Sequence, residues 1–180
     1  MTTTTTTLGE LTGDYVLDSA RTRIGFVARA AMISKVRGRF DDFEGTAHLD
    51  GDDPSRSGVR IVIRAGSIST GKQKRDDHLR SADFLDVGRH PTITFTSTKV
   101  RQVGETRFEV IGDLTVHGVT GPATVHFELT GAGNDPRGGP RAAFRGRAII
   151  NRKDWGVSWG GLLISEKVAL ELDVAATRRR

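Results

Sequence analysis

Apolar and polar residues alternate along most of this chain, and this alternation limits the possible folds more than any other feature. From Arg23 to Ala30 every even-numbered residue is apolar, while two of the odd-numbered ones are arginines. The same period recurs in the runs 59–65, 108–116, 123–129, 144–150 and 168–174. A period of two is typical of antiparallel strands with one face on a core and the other in water. The sequence therefore predicts an all-β protein of about eight strands.

One segment departs from this pattern and predicts a short helix. Three apolar residues recur there at helical spacing: Leu79, Ala82 and Leu85. Asp76 lies four residues before Arg80, the spacing at which a helix brings opposite charges together. Pro91 then favours extended backbone at the residue before it, and a strand follows. We expect a helix within Gln73–Leu85 that covers part of the rim of the sheet structure.

About eight strands and one helix fit either a closed up-and-down barrel or a two-sheet sandwich. Several inward positions carry small residues, namely Ala28, Ala30, Gly112, Ala123, Gly146 and Ala148. An eight-stranded barrel is just wide enough to hold one small ligand, so small inward residues would leave room for it. The other interpretation is that they mark bulges and strongly coiled strands.

Catalytic and metal-binding motifs are scarce in the sequence. There is no cysteine, and the five histidines show no zinc-site spacing. His117 and His126 flank a turn and could approach each other, but two histidines without a third ligand make a poor metal site. The cluster 76–78 (Asp-Asp-His) is interpreted as the polar face of the helix. We therefore predict no catalytic residue, no metal and no cofactor.

Residues 76–98 resemble the helix-to-strand signature of the YceI-like family of lipocalin-like, isoprenoid-binding proteins. Other matching segments occur in order at 16–30, 36–50, 112–129 and 145–157. One departure is that Arg21 and Thr22 stand where the family usually has a His-Ser pair, so no role is carried over there. The resemblance implies an eight-stranded antiparallel lipocalin-like barrel over residues 13–176. The flanking residues predict a disordered Thr-rich tail (1–12) and a basic C-terminal tail (177–180).

The resemblance also implies a non-enzymatic carrier that holds an isoprenoid or isoprenoid quinone inside the barrel. The predicted lining consists of residues with inward parity, together with helix and loop residues at the mouth: Phe26, Ala28, Ile61, Ile63, Leu79, Phe84, Phe95, Val110, Leu114, Phe127, Phe144, Gly146, Ala148 and Trp155. Trp159, Leu162 and Leu163 belong with Trp155 to a glycine-rich loop, which is interpreted either as a mouth loop at the same opening or as ordinary loop packing. Tryptophan at position 146 or 148 is expected to fill the tunnel and leave the fold intact.

A different class of function stays open on the basis of charge. The chain carries a formal net charge of +5, and a basic surface can recruit a polyanion. The alternative is therefore an interaction or stress-response module with a solidly packed barrel. However, the basic residues are dispersed along the polar strand faces, and no surface aromatics are interleaved with them, which favours a solvated exterior and argues against a nucleic-acid partner.

The N-terminus predicts a cellular location, and the outward-facing apolar residues predict an oligomeric state. Residues 1–15 have neither a basic n-region nor an apolar h-region, so a cytoplasmic location is expected. No apolar run approaches the roughly 20 residues of a membrane span. YceI-like proteins commonly pair, and apolar residues occur at outward positions, which makes a homodimer the expected state: Val27, Val62, Ile111 and Ile149.

Overall fold

The computed structural model describes residues 7–30, 34–134, 136, 139–160 and 164–179. This part of the chain contains eleven strands and one α-helix. The strands are β1 (Gly13–Leu17), β2 (Arg23–Ala30), β3 (Ser34–Phe40), β4 (Phe43–Leu49), β5 (Gly58–Arg64), β6 (Ile68–Ser69), β7 (Thr92–Gln102), β8 (Arg107–Val116), β9 (Val119–Asn134), β10 (Pro140–Asn151) and β11 (Lys167–Arg178). The helix, α1, spans Gln73–Arg80. No helix among these residues is long and apolar enough to cross a membrane.

The strands close into a barrel. Eight of them form a ring of antiparallel pairs in the order β1-β4-β5-β7-β8-β9-β10-β11, and β11 pairs again with β1. The first part of β11 pairs with β2, whose other neighbour is β3, and β3 also pairs with β6. Thus β1–β2, β3–β4 and β5–β6 each behave as one long strand interrupted by a few residues. The result is an eight-stranded up-and-down barrel, which confirms the predicted fold.

The interruption between β1 and β2 is tied to the barrel by a side chain. Thr22 donates its hydroxyl to the carbonyl of Ala175 at 3.2 Å and accepts from the amide of the same residue at 3.1 Å. The Ala175 carbonyl also accepts the amide of Asp18 at 2.8 Å, so the hydroxyl adds a partner for both backbone groups of Ala175 where the strand pairing is interrupted. Arg21, the other departure from the family pattern, lies 3.7 Å from the Asp18 carboxylate.

The N-terminal segment covers one end of the barrel, which we call the far end. Leu8–Leu11 form a 3-10 helix, and Leu11 is buried at 3% exposure. The Leu8 carbonyl oxygen lies 1.6 Å from where a Cβ on Gly51 would stand, so only glycine permits this contact. The predicted disordered tail (1–12) is therefore wrong for residues 8–11, whereas residues 1–6 lie outside the described part. At the other terminus β11 continues to Arg178, beyond the predicted domain end at 176.

Tyr15 joins this segment to the barrel. Its side chain is 1% exposed, and its hydroxyl donates to the Leu11 carbonyl at 2.8 Å. Burial raises the pKa of Tyr15 above 10.0, with nearby Arg178 opposing the shift. Because the pKa of Tyr15 is higher in the folded protein than in the unfolded chain, the neutral side chain contributes to stability. This stabilisation is fully present below the pKa of the unfolded chain and is lost as the pH rises through the pKa of the folded protein.

We expect Tyr15→Phe to lower the free energy of unfolding by about 1 kcal/mol at neutral pH, because the buried Leu11 carbonyl loses its partner. The wild-type advantage should shrink above about pH 10, where the unfolded tyrosine ionises. Urea denaturation of both proteins from pH 7 to 11 measures the difference between their free energies of unfolding. The other titrating groups are the same in both proteins, so their effects cancel in this difference. An advantage that stays constant up to pH 11 would contradict the burial argument.

Helix α1 lies within the predicted range but ends earlier. Ser81, just after it, has an extended backbone, so Ala82 and Leu85 fall in the turns that follow. The predicted Asp76–Arg80 ion pair is wrong. Asp76 is buried and accepts hydrogen bonds from the amide and hydroxyl of Thr70. Arg80 instead pairs with another helix residue, Asp77, at 3.1 Å, and it also donates to two backbone carbonyls of the 65–68 segment.

Candidate functional site

The barrel encloses a cavity of about 380 Å³ beneath α1 and the turns that follow it. Ten of the fourteen predicted lining residues border this larger cavity: Phe26, Ala28, Ile61, Ile63, Leu79, Phe84, Phe95, Leu114, Phe127 and Trp155. Parity along the strands predicted most of these positions, because alternate side chains of a strand face the same side. Their role in ligand binding stays a prediction.

A smaller cavity of about 110 Å³ lies at the far end, below Leu8 and Leu11. Two more predicted residues, Val110 and Phe144, line it. Ile61 and Phe127 border both cavities and therefore lie between them. The Phe127 ring is held edge-on by Phe144, with ring centroids 6.3 Å apart. The interior is thus divided into two unequal compartments.

The remaining two predicted residues, Gly146 and Ala148, border neither cavity. A Cβ on Gly146 would lie 2.6 Å from Cε1 of Phe127, its cross-strand partner. In the same way, a Cβ on Gly112 would lie 2.7 Å from Cζ of Phe95. The space left by these glycines is filled by aromatic rings of the protein itself. Ala148 is buried in the core at 4% exposure. We therefore expect tryptophan at 146 or 148 to overpack the core and not to fill a tunnel, contrary to the expectation from the sequence.

We expect Gly146→Ala to lower the free energy of unfolding by about 1–3 kcal/mol, because its methyl group displaces the Phe127 ring. The matched control is Gly133→Ala on strand β9, where nothing lies within 4 Å of the added methyl group. That control should be neutral or slightly stabilising, since alanine restricts the unfolded chain. Chemical denaturation checks both, and equal stability of the two variants would disprove the contact.

The mouth of the larger cavity is built from aromatic residues. Trp155 is buried, and its Nε1 donates to the Leu114 carbonyl at 2.8 Å. Trp159 is 44% exposed, and its ring packs edge-on against His78, with ring centroids 4.5 Å apart. It also packs at a tilt against Phe84, with ring centroids 5.1 Å apart. Both tryptophans thus lie at the opening, as in the mouth-loop interpretation, whereas Leu162 and Leu163 lie outside the described residues.

Arg152 organises the loop beside this mouth. The side chain is 6% exposed, and its guanidinium donates to four backbone carbonyls at 2.7–3.1 Å: Val157, Trp159, Ile164 and Ser165. Burial lowers the pKa of Arg152, and the charge of Glu166 opposes this shift. The sequence did not mark this residue, because a charged side chain after a strand normally predicts a solvent position.

The polar side chains that border the larger cavity are basic: Arg29, Arg75, His78 and Arg152. Arg75 donates to the carbonyl and hydroxyl of Thr70, and His78 pairs with Asp83 at 2.8 Å. No carboxylate borders the cavity among the described residues. The cluster 76–78 is directed to three separate partners (Thr70, Arg80 and Asp83), as expected for structural roles.

His117 does not meet His126 as proposed from the sequence. His126 lies within β9 opposite Glu109, whereas His117 occupies the β8–β9 turn with φ of 55°. Its neighbour is His90, with ring centroids 5.1 Å apart. The Asp86 carboxylate completes a group whose ligand atoms all lie within 4.8 Å of one another. Sequence spacing did not reveal this group, because its members come from separate turns.

A model of the YceI-like domain matches residues 15–176. The chain belongs to the YceI-like family. A UPF0312 protein from Pseudomonas paraeruginosa is 40% identical over 171 residues, which cover 94% of this chain and 89% of the relative. One from Vibrio vulnificus is 39% identical over 168 residues, which cover 92% and 88%.

Solved structures with the same barrel include other YceI-like proteins. BcnA from Burkholderia cenocepacia superimposes with a TM-score of 0.82 at 22% identity, covering 89% of this chain and 99% of BcnA. The Campylobacter jejuni YceI protein gives 0.77 at 26% identity, covering 82% and 88%. A polyisoprenoid-binding domain from Saccharophagus degradans gives 0.71 at 18% identity, covering 92% and 98%. These likenesses support the barrel assigned to this YceI-like chain.

Proposed function

We propose that this YceI-like protein is a non-enzymatic carrier that holds an elongated apolar molecule in the larger cavity. The observation that carries the proposal is a cavity of about 380 Å³ inside a closed barrel. Small-molecule sites are mostly apolar and commonly measure about 300–1,000 Å³. The cavity meets both criteria, and three of its four basic side chains, Arg75, His78 and Arg152, already form hydrogen bonds with protein groups.

Burial of apolar surface is sufficient to retain such a ligand. Each buried methylene is worth about 0.8 kcal/mol, so one five-carbon isoprene unit contributes roughly 3–4 kcal/mol before the costs of ordering. Two or three units inside the barrel would then give useful affinity without any specific hydrogen bond. This explains why the sequence carries no binding motif of its own.

An isoprenoid or isoprenoid quinone is the ligand class that we propose. The Saccharophagus degradans domain is described as polyisoprenoid-binding and shares this barrel. A long hydrocarbon chain with short methyl branches suits a narrow barrel lined by Phe26, Ile63, Phe95 and similar side chains. A catalytic role has less support, because none of the carboxylates among the described residues faces the cavity.

The polyanion-binding alternative has weaker support. It requires a solidly packed barrel, yet two cavities lie inside this one. Several surface arginines also lie within 4 Å of carboxylates, as in Arg37–Glu171, Arg39–Asp41, Arg101–Glu109 and Arg145–Asp173. A homodimer also stays a proposal, and of its four predicted outward residues Ile149 is the most exposed, at 73%.

Organic extraction of the purified protein, followed by lipid mass spectrometry, tests the carrier function. We expect a co-purifying isoprenoid, and lipid-free protein should unfold at a higher temperature once isoprenoid is added, since a ligand of the folded state raises apparent stability. Two results together would refute the proposal: the purified protein contains no extractable isoprenoid, and added isoprenoid does not change the melting temperature of lipid-free protein.

A further inference from the structure

Outside both cavities, three potential metal ligands converge from two turns of the chain. Asp86 and His90 belong to the segment between α1 and β7, and His117 lies in the β8–β9 turn. We propose that these three side chains form a binding site for a divalent transition-metal ion, Zn²⁺ in particular. This site is independent of the proposed lipid function, since none of the three residues borders either cavity.

The donor set matches the chemistry of zinc. Two imidazoles and one carboxylate leave a fourth, open position for water, a common arrangement at zinc sites with three protein ligands. The three ligand atoms lie within 4.8 Å of one another. Bonds of about 2.0–2.2 Å in a tetrahedron bring ligand atoms to roughly 3.4 Å, so each side chain has to rotate only slightly.

The ligand atoms are also available. All three residues are half-buried, and neither imidazole makes a hydrogen bond to any described residue. Among the described residues Asp86 forms one ion pair, with Arg89, whose Nε lies 4.0 Å from the Asp86 carboxylate and whose side chain is 85% exposed. A glycine adjoins the ring of each histidine. A Cβ on Gly118 would lie 2.6 Å from His90 Cε1, and one on Gly156 would lie 3.3 Å from His117 Nδ1.

The backbone supports the same arrangement. Asp86 and His117 are the two non-glycine residues with positive φ in the described chain, at 47° and 55°. At position 117 the positive φ is required by the two-residue hairpin turn that His117 forms with Gly118, whose φ is 72°, and aspartate and histidine tolerate such conformations better than most residues. The Asp86 carbonyl also accepts the amide of His90 at 2.8 Å, which holds two of the ligands in one turn.

A bound ion would fasten the rim of the barrel. The segment that carries Asp86 and His90 also carries Phe84, which borders the larger cavity, and His117 lies beside the loop of Trp155 and Gly156. Zinc would therefore connect the mouth segment to the β8–β9 hairpin. Because the ion would bind only the folded arrangement of these two turns, its binding is expected to raise the stability of the barrel.

Calorimetric titration of chelator-treated, tag-free protein with zinc chloride tests the site. We expect one Zn²⁺ per chain in the wild type, and an affinity at least about tenfold lower in His90→Gln, His117→Asn and Asp86→Asn. Asparagine suits positions 86 and 117 because it tolerates positive φ, so these variants remain informative if His90→Gln fails to fold. Zinc should also raise the melting temperature of the wild type and not that of the variants.

The matched control is His48→Gln, which removes an exposed histidine whose Nδ1 lies 2.8 Å from the Asp14 carboxylate. This variant should bind zinc like the wild type. The proposal is overturned if the wild type binds no zinc, if folded His117→Asn and Asp86→Asn both keep wild-type affinity, or if His48→Gln loses as much affinity as they do. The last two results would indicate adventitious surface binding only.

Discussion

Replacing Ala28 with tryptophan should lower the affinity for the proposed lipid by roughly 100-fold. Ala28 lies on β2 and borders the larger cavity, so the indole would enter the space in which the ligand is expected. Exclusion of one isoprene unit forfeits roughly 3–4 kcal/mol of burial. The ordering cost that this unit no longer incurs offsets part of the loss, which leaves about 2.8 kcal/mol, or 100-fold. The measurement is lipid content after organic extraction, together with the rise in melting temperature on adding isoprenoid.

The control for added bulk is Ile149→Trp, on a strand residue that is 73% exposed and points away from the cavity. This variant should retain wild-type lipid content. Thermal unfolding of lipid-free protein separates filling of a cavity from overpacking, because only overpacking lowers stability, by about 1–3 kcal/mol. Wild-type lipid content in a folded Ala28→Trp protein would place the ligand elsewhere.

The second large effect is expected from Arg152→Met, which should lower the free energy of unfolding by about 3–5 kcal/mol. Hydrogen bonds to a charged donor are worth about 1.5–3 kcal/mol each, and four carbonyls lose theirs together. The total is less than the sum because water reaches part of the loop. Arg152→Lys should rescue little, since one ammonium cannot reproduce the planar fork of donors.

Arg147→Met is the matched control for Arg152→Met, because Arg147 lies exposed on β10, the strand that ends just before Arg152. It should change stability by less than about 0.5 kcal/mol. Urea denaturation compares the variants. If Arg152→Met were as stable as Arg147→Met, the four hydrogen bonds would have no net value in holding the loop.

The alternation of residues predicted the barrel well, because a period of two is a direct consequence of strand geometry. It also predicted which side chains face inward, and Ala28, Ile61 and Phe95 do line the interior. The choice between a barrel and a sandwich came from the family resemblance, because alternation alone does not determine whether β11 returns to β1. Closure depends on long-range pairing.

What the sequence did not predict depends on register and on contacts between distant turns. Parity places Gly146 inside, but only its pairing with Phe127 shows that a ring already fills the space. Leu11 lies in a 3-10 helix too short for any periodicity to be visible. Arg152 is buried because carbonyls from a later loop surround it, and those partners are not apparent from residue type.

The partition formed by Ile61 and Phe127 limits the length of the larger cavity, which the apolar character of its lining does not do. With the far end covered by Leu8–Leu11, a chain inserted from the mouth meets the Phe127 ring as a stop. In the proposed carrier, the compartment of about 380 Å³ would limit how many carbons are buried, and the rest of a longer chain would stay outside in water. Within a lipid series, affinity should rise with chain length and then level off once the compartment is full. Selectivity would then reside in the position of one aromatic ring.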